Sequence, residues 1–454
     1  MGNLYGITGC TRISENAVTA SARPWRRAAV WLLFLGPFFF ATYGLATWLT
    51  TQRAHVGSIV FGWEHAVPFV PWTIVPYWAI DALYGISLFV CADKSELDTH
   101  ARRLLTAQLV AIASFLLFPL RFTFARPDTD GPFGGLFILL STFDQPFNQA
   151  PSLHIALLVI LWALFGRKLR GASRVLADGA FALIGISVMT TWQHHFIDVP
   201  TGALLGFFCL WLWPQGEPTP LATARWTRDP RRLALAARYF AGALASAAVA
   251  LYVGGVALWL SWVVVALMFV ALDYAWLGPA GFQKRGGRLS PAVCVLQAPY
   301  LAGAVVNAKA WTRSRSAFDH VADDVWLGRI PTPAEIERGG FAAIVDLTCE
   351  LKLDPCGRAY VNLPVLDLTL PDRAILAEAT DAIEELRREG RVLVCCALGV
   401  TRSATAVAAW LVATGRARDA EAALARVREA RPQIVLGEAH RARVAAMARP
   451  AAAV

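Results

Sequence analysis

The apolar and polar positions divide the chain into two regimes. Up to about residue 316, long apolar runs alternate with short basic segments, and from about Asp319 onward charges are dense and apolar runs short. About 20 predominantly apolar residues cross the hydrocarbon core of a bilayer, and Lys and Arg gather on its cytoplasmic side. The runs 28–49, 67–92, 104–124, 154–165, 175–191 and 197–213 read as successive spans. Arg23, Arg26 and Arg27 precede the first, Lys94, Arg102 and Arg103 follow the second, and Arg167, Lys168, Arg170 and Arg174 follow the fourth. These clusters mark one side. Prolines 68, 71 and 76 predict an irregular start to the second span, and residues 128–148, rich in Gly, Pro and Asp, read as a loop. A polar linker then leads to a tight hairpin over 233–254 and 255–277. The run 289–308 has Lys284, Arg285 and Arg288 on one flank and Lys309, Arg313 and Arg315 on the other. Two basic flanks favour a re-entrant or interfacial segment over a full span. That choice sets the side on which the remainder lies.

The remainder alternates strand and helix. Residues 342–347, 359–363 and 391–395 are short apolar runs that fit buried strands. Helical patterns cover 375–388, 403–414, 419–430 and 437–448, with Gly390 and Gly415 where C-caps are expected. The predicted architecture is an α-helical polytopic membrane domain followed by a soluble α/β domain. Its expected parts are a cytoplasmic segment 1–27, a membrane domain 28–215, a linker with additional transmembrane or re-entrant helices 216–316, a soluble domain 317–448 and a tail 449–454.

Composition agrees with this division. The 454 residues are 56% hydrophobic with mean hydropathy +0.47, above the roughly 45–50% apolar share of soluble domains. The net charge of +9 comes largely from arginines in short loops, so it reads as topology. No nucleic-acid partner is expected, because the Trp and Phe residues sit in apolar spans and not beside a basic face. Eight cysteines show no metal-ligand spacing, and no metal or cofactor is expected. Cys10, Cys91, Cys209 and Cys294 read as small buried hydrophobes. The first six residues lack the Ser or Thr of a myristoylation signal, and the first apolar run is long enough to span rather than to be a secretory signal.

Candidate chemistry lies first in Gln193-His194-His195-Phe196-Ile197-Asp198. His194 and Asp198 are i and i+4, so on a helix they share a face. A carboxylate on one imidazole nitrogen leaves the other free to attack. Charge counting places Arg121, Arg126, His154, His194 and Asp198 together on the side opposite the cytoplasm. Cleavage of a phosphoester by histidine needs a nucleophile, an orienting carboxylate, cations for the phosphate oxygens and an acid for the leaving alcohol. His194, Asp198, Arg126 with Arg121, and His154 fill those roles, with Ser152 as a hydrogen-bond donor.

Over about residues 30–215 the sequence resembles the type 2 phosphatidic acid phosphatase superfamily. Pro151-Ser152-Leu153-His154 matches its Pro-Ser-x-His motif, Arg126-Pro127 the end of its first motif, and Ser187 with His194 and Asp198 its third. Val188 stands where the family has an arginine and Pro119 where it has a lysine. Ser-Leu-His and His-His-Phe-Ile-Asp are similar to the branch containing inositol phosphorylceramide synthases, which implies either hydrolysis or head-group transfer.

A second constellation is Cys395-Cys396-Ala-Leu-Gly399-Val-Thr-Arg402-Ser403, after a strand and opening a helix. Such a turn aims backbone N–H groups and a helix N-terminus at an anion. The same dipoles favour the thiolate of Cys396. Arg402 offers a bidentate fork for phosphate, Ser403 a donor to the departing thiolate, and Asp367 a general acid. This stretch resembles the dual-specificity branch of the cysteine-dependent protein tyrosine phosphatases over about 318–445. Val325-Trp-Leu-Gly-Arg329 and the Ile-Val-Asp-Leu strand add to the resemblance. Cys395 replaces the family's histidine and reads as a buried strand residue in preference to a disulfide partner. The loop has no lysine, which points away from polyphosphoinositides.

The expected function is a membrane-bound bifunctional phosphatase for lipid phosphate monoesters, or a head-group transferase. It would work through phosphohistidine at the outer face and phosphocysteine in a cytoplasmic domain of a bacterial plasma membrane protein. The alternative is a phosphoprotein phosphatase with a lipid-sensing anchor. A scaffold with two degenerate sites is the non-enzymatic reading.

Overall fold

The computed structural model describes residues 23–448. The readings on Cys10, the first six residues and the tail lie outside the described residues. The chain divides into two compact units between Ala222 and Thr223.

The first unit is helical. It comprises α1 (Trp25–Thr51), α2 (Ile74–Phe89), α3 (Lys94–Leu117), α4 (Gly131–Ser141), α5 (Leu153–Lys168), α6 (Gly171–Thr190) and α7 (Asp198–Leu212). The prolines before α2 produce a 3₁₀ turn over Pro71–Thr73, as their fixed φ suggests. Helix α3 starts about ten residues before the apolar run. Asp93 caps it by accepting Glu96 N–H at 2.9 Å, and its polar first turns are buried at Glu96, His100 and Arg103. Arg103 lies inside the unit, its Nε donating to the Trp213 carbonyl at 2.8 Å, so it is not a free flanking charge. Helix α4 occupies what reads as a loop. Gly131-Pro132 punctuates its start, where proline suits the first helical turn.

In the second unit, α8 (Pro230–Val253) is capped by Asp229. Gly254 and Gly255, both at positive φ, reverse the chain into α9 (Leu260–Leu272), which continues as a π turn over Asp273–Leu277. Strands β1 (Lys284–Arg285) and β2 (Arg288–Leu289) form a small hairpin. Then α10 (Pro291–Leu296) and α11 (Ala298–Thr312) split the ambiguous run at the buried Gln297. At 6 and 15 residues, both fall short of the roughly 20 that a span needs. Among the described residues four helical stretches are long and apolar enough to cross a membrane: Trp25–Thr51, Gly171–Thr190, Pro230–Val253 and Gly255–Phe282.

The α/β part adds β3 (Phe318–Ala322), β4 (Val325–Arg329), α12 (Pro333–Gly339), β5 (Ala343–Thr348), β6 (Ala359–Val365), α13 (Arg373–Leu386), β7 (Val392–Cys396), α14 (Arg402–Ala413), α15 (Ala420–Ala430) and α16 (Glu438–Ala445). The sheet order is β3-β4-β7-β5-β6, parallel except at β3. Strands β5 and β7 are buried at every residue, which is why they read as continuous apolar runs. Strand β7 is central, and α14, buried along its whole length around Trp410, follows directly from it.

The small hairpin is tied into this sheet. Lys284 Nζ donates to Asp346 Oδ2 at 2.5 Å and to Thr348 Oγ1 at 2.7 Å, and both charged side chains are almost wholly buried. Leu353 N–H bonds the Gly287 carbonyl at 2.9 Å. Gly287 has φ +78°, and a Cβ there would lie 1.9 Å from the Leu353 carbonyl oxygen, so only glycine fits. Removing one partner of a buried pair leaves an uncompensated charge, at a cost of about 3–5 kcal/mol. Lys284→Met should therefore lower the unfolding midpoint of the detergent-purified protein, read by thermal or denaturant melts. An unchanged midpoint would show that Asp346 does not depend on Lys284.

Candidate active sites

The histidine pocket depends on a close helix crossing. A Cβ on Gly202 would lie 2.4 Å from the Ser152 carbonyl oxygen, and one on Gly206 would lie 2.6 Å from Val159 Cβ. This small-residue seam of α7 lets α5 approach, and so brings the start of α5 to the start of α7. Ser152 caps α5 by accepting Ile155 N–H, and its own N–H bonds the Asp198 carbonyl at 3.0 Å. On the other side α6 ends in a turn with Trp192 at positive φ, and the His194 N–H returns to the Val188 carbonyl at 3.1 Å.

His194 is held at both nitrogens. Nδ1 lies 3.2 Å from Asp198 Oδ2, and Nε2 lies 3.2 Å from Ser152 Oγ. A proton on Nδ1, held by Asp198, puts the lone pair on Nε2, where Ser152 donates to it. The ring of His154 stacks on Tyr77 at 4.2 Å, and its buried Nε2 has no hydrogen-bond partner among the described residues. Arg126 sits over the Phe137 ring at 4.7 Å with its Nε unpartnered. The structure thus unites His194, Asp198 and Ser152 by direct contact, and leaves His154 and Arg126 with polar atoms to spare. It does not commit two other predicted residues in this way. Arg121 is exposed, and among the described residues its side chain makes no hydrogen bond or ion pair. Ser187 donates its hydroxyl to the Ile184 carbonyl at 2.6 Å inside α6. Val188 is fully buried in the helical core.

Two acids and two tyrosines contribute without any short motif. Glu64 accepts His195 Nδ1 at 2.8 Å, Phe196 N–H at 3.0 Å and Phe61 N–H at 2.7 Å, which gives His195 a holding role. Asp144 accepts the Tyr43 hydroxyl at 2.7 Å and the Tyr77 hydroxyl at 3.4 Å, and Tyr77 in turn underlies His154. Both acids lie between the predicted spans, Glu64 before 67–92 and Asp144 in the 128–148 loop, where a carboxylate is ordinary and no local pattern marks it.

In the cysteine loop, Cys396 ends β7 and is 2% exposed, with Ser403 Oγ donating to Sγ at 3.2 Å. Gly399 has φ +69°, and a Cβ there would lie 2.5 Å from Gly328 C, so the loop packs directly on β4. Arg431 holds it from behind, donating to the Gly399 carbonyl at 2.8 Å and pairing with Asp319 at 2.5 Å. Arg402 donates to Glu350 Oε1 at 2.7 Å and Oε2 at 3.1 Å, to the Val365 carbonyl at 2.8 Å, and lies 2.9 Å from Asp367 Oδ1. The two carboxylates flanking this guanidinium are driven apart. Burial works against the charge of Glu350, yet Arg402 holds its carboxyl below the usual range. Burial raises Asp367, with Arg402 opposing and the Glu350 charge adding to the rise. A pair of groups pushed apart in this way is the pattern of a fixed anion beside a proton donor. Burial, and after it Asp346, pushes the Cys395 thiol well above its usual range, as befits a core residue.

The comparisons with known proteins follow this division. The profile of the PAP2 superfamily matches residues 101–220, and that of the dual specificity phosphatase catalytic domain matches residues 325–449. The chain joins a domain of each family. It is a phosphoric monoester hydrolase with a dual-specificity phosphatase domain and a PAP2 domain. Among solved structures, Tk-PTP in its active form is 30% identical, covering 27% of this chain and 90% of that one, with TM-score 0.26. Human DUSP28 is 23% identical, covering 29% of this chain and 93% of that one, with TM-score 0.27. PTPMT1 in complex with PI(5)P is 17% identical, covering 29% and 94%, with TM-score 0.27. A comparison with curated proteins found no match. Residues between the two profiles, including α8–α11, belong to neither.

If Asp367 donates the proton, hydrolysis of an alkyl phosphate at the cysteine site runs while its carboxyl is protonated and falls as pH rises through its raised pKa. The alkaline limb should then lie above the ordinary carboxylate range, and Asp367→Asn should flatten it in a kcat–pH profile. A limb unmoved by Asp367→Asn would assign the acid elsewhere.

Proposed function

We propose that the protein is a bifunctional membrane phosphatase whose two sites act on lipid phosphate monoesters. The observation that carries the histidine half is His194 held between Asp198 and Ser152, with an unpartnered His154 nitrogen as part of the same pocket. In this reading Nε2 of His194 forms a bond to phosphorus as the bond to the lipid alcohol breaks. His154 gives that oxygen its proton, and Asp198 offsets the charge that develops on the ring. Water, deprotonated by His154, then releases phosphate from the phosphohistidine. Arg126 would neutralise phosphate oxygens.

The cysteine half follows the same logic through a phosphocysteine at Cys396, with Arg402 gripping the oxygens and Asp367 protonating the leaving group. Its lipid preference is supported by the compact unit that contains it. That unit also carries the apolar helices α8 and α9, with Leu251, Tyr252 and Val253 exposed at the end of α8 and Val256 exposed in the turn between the two. A catalytic loop joined to such a hairpin works at the bilayer. The break at Gln297 supports a re-entrant 289–308 segment and hence a cytoplasmic cysteine domain, while charge counting supports an outward histidine pocket.

The test uses full-length His194→Ala, Cys396→Ser and the double variant, assayed on phosphatidic acid, phosphatidylglycerol phosphate, an inositol lipid phosphate and a phosphotyrosine peptide. Each single variant should lose its own lipid activity by about a thousandfold or more, and the double variant should lose both. If Cys396→Ser abolished only peptide hydrolysis, the cysteine half would be a phosphoprotein phosphatase on a membrane anchor. If neither substitution changed any rate, both halves of the proposal would fall.

A further inference from the structure

The acid loop of the cysteine site is fixed from the membrane hairpin. Tyr274, 1% exposed, lies in the π turn that continues α9, and its hydroxyl donates to the main-chain carbonyl of Asp367 at 2.9 Å. The next residue, Leu368, has φ +56°. A non-glycine residue there is an uncommon conformation that surrounding contacts must hold. Locally the turn is closed by Thr369, whose N–H and hydroxyl both bond the Leu366 carbonyl, at 3.3 and 2.8 Å. Leu368 itself is 68% exposed, so no packing of its side chain holds the turn.

Tyr274 is in turn immobilised. Its ring stacks on Tyr239 of α8 at 5.5 Å, and Tyr239 meets Tyr300 of α11 edge-on at 5.8 Å. Arg232 Nε donates to the Tyr274 carbonyl at 3.0 Å. All of these residues lie in the segment that neither family profile matches.

We propose that Tyr274 is a positioning residue of the cysteine site, holding the Asp367 turn so that its carboxyl meets the leaving oxygen. The side chain of Asp367 is fixed from below by Arg402 at 2.9 Å and its backbone from the hairpin by Tyr274. The inference rests on the reading of Cys396 as nucleophile and Asp367 as acid. In the first step Sγ of Cys396 forms the bond to phosphorus, the bond to the leaving oxygen breaks, and that oxygen takes the Asp367 proton. An alkoxide cannot leave without that proton, whereas 4-nitrophenolate can.

This difference gives a readout that a purely structural role would not move. The full-length chain carrying His194→Ala, which silences the other pocket, is compared with and without Tyr274→Phe on phosphatidic acid in mixed micelles and on 4-nitrophenyl phosphate. Tyr274→Phe should lower kcat on the lipid about ten- to a hundredfold, a large part of what a general acid contributes, and hold kcat on the nitrophenyl ester within about twofold. Added to Asp367→Asn, it should cost nothing further on the lipid, since residues acting as one unit are not additive. Equal losses on both substrates, an unchanged lipid rate, or additive losses would overturn the proposal. If Cys396→Ser in the same background kept both activities, the underlying assignment of the cysteine site would fall, and this inference with it.

Discussion

Arg402 is 2% exposed, and a guanidinium that deep has to be met by acceptors on every side. Glu350 takes two of its N–H groups, the Val365 carbonyl a third, and Asp367 stands at the open edge. The ends of β5, β6 and β7 must therefore converge, because each supplies or adjoins one of these groups. Arg402 also opens α14, so the same requirement fixes where the helix begins and where its N–H groups point. The backbone of the loop is pressed onto β4 at Gly399 and clamped by Arg431 from behind. The loop is thus fixed by the protein's own contacts, which is what electrostatic preorganisation would ask of it if it takes an anion.

The helical unit reaches a comparable result without a strand. Its constraint is the backbone approach at Gly202 and Gly206, which places one helix N-terminus beside another. Ser152 then serves twice, as cap of α5 and as partner of His194. Asp198 also serves twice, orienting the His194 ring and accepting the His195 N–H at 3.1 Å. His195 is drawn off to Glu64, so adjacent histidines take opposite parts, one in the pocket and one in the scaffold.

Much of this was legible in the sequence because it is local. The i, i+4 pairing of His194 with Asp198, the Pro-Ser-Leu-His start of α5 and the Cys-to-Arg loop between β7 and α14 each lie within one turn or one loop. The two-regime pattern gave the membrane and α/β parts for the same reason. What escaped was supplied across long stretches of chain. Glu64 is 131 residues from His195, Glu350 is 52 from Arg402, and Tyr274 is 93 from Asp367. Periodicity does not carry such distances. Arg121 and Ser187 show the converse: their positions fit a motif, but the exposure of one and the helical hydrogen bond of the other are decided by neighbours no motif records. Helix α4 was hidden because the glycine and proline that punctuate loops also begin helices.

The pairing of Lys284 with Asp346 has a bearing on how such a chain is inherited. Asp346 lies within the stretch shared with other dual-specificity phosphatases, and Lys284 lies outside it. A recombination at the family boundary would separate a buried cation from its anion and strand each in a foreign interior. The connecting segment is therefore not a neutral spacer between two exchangeable modules. It carries the buried cation that meets Asp346, so an exchange of either part alone would break that pair.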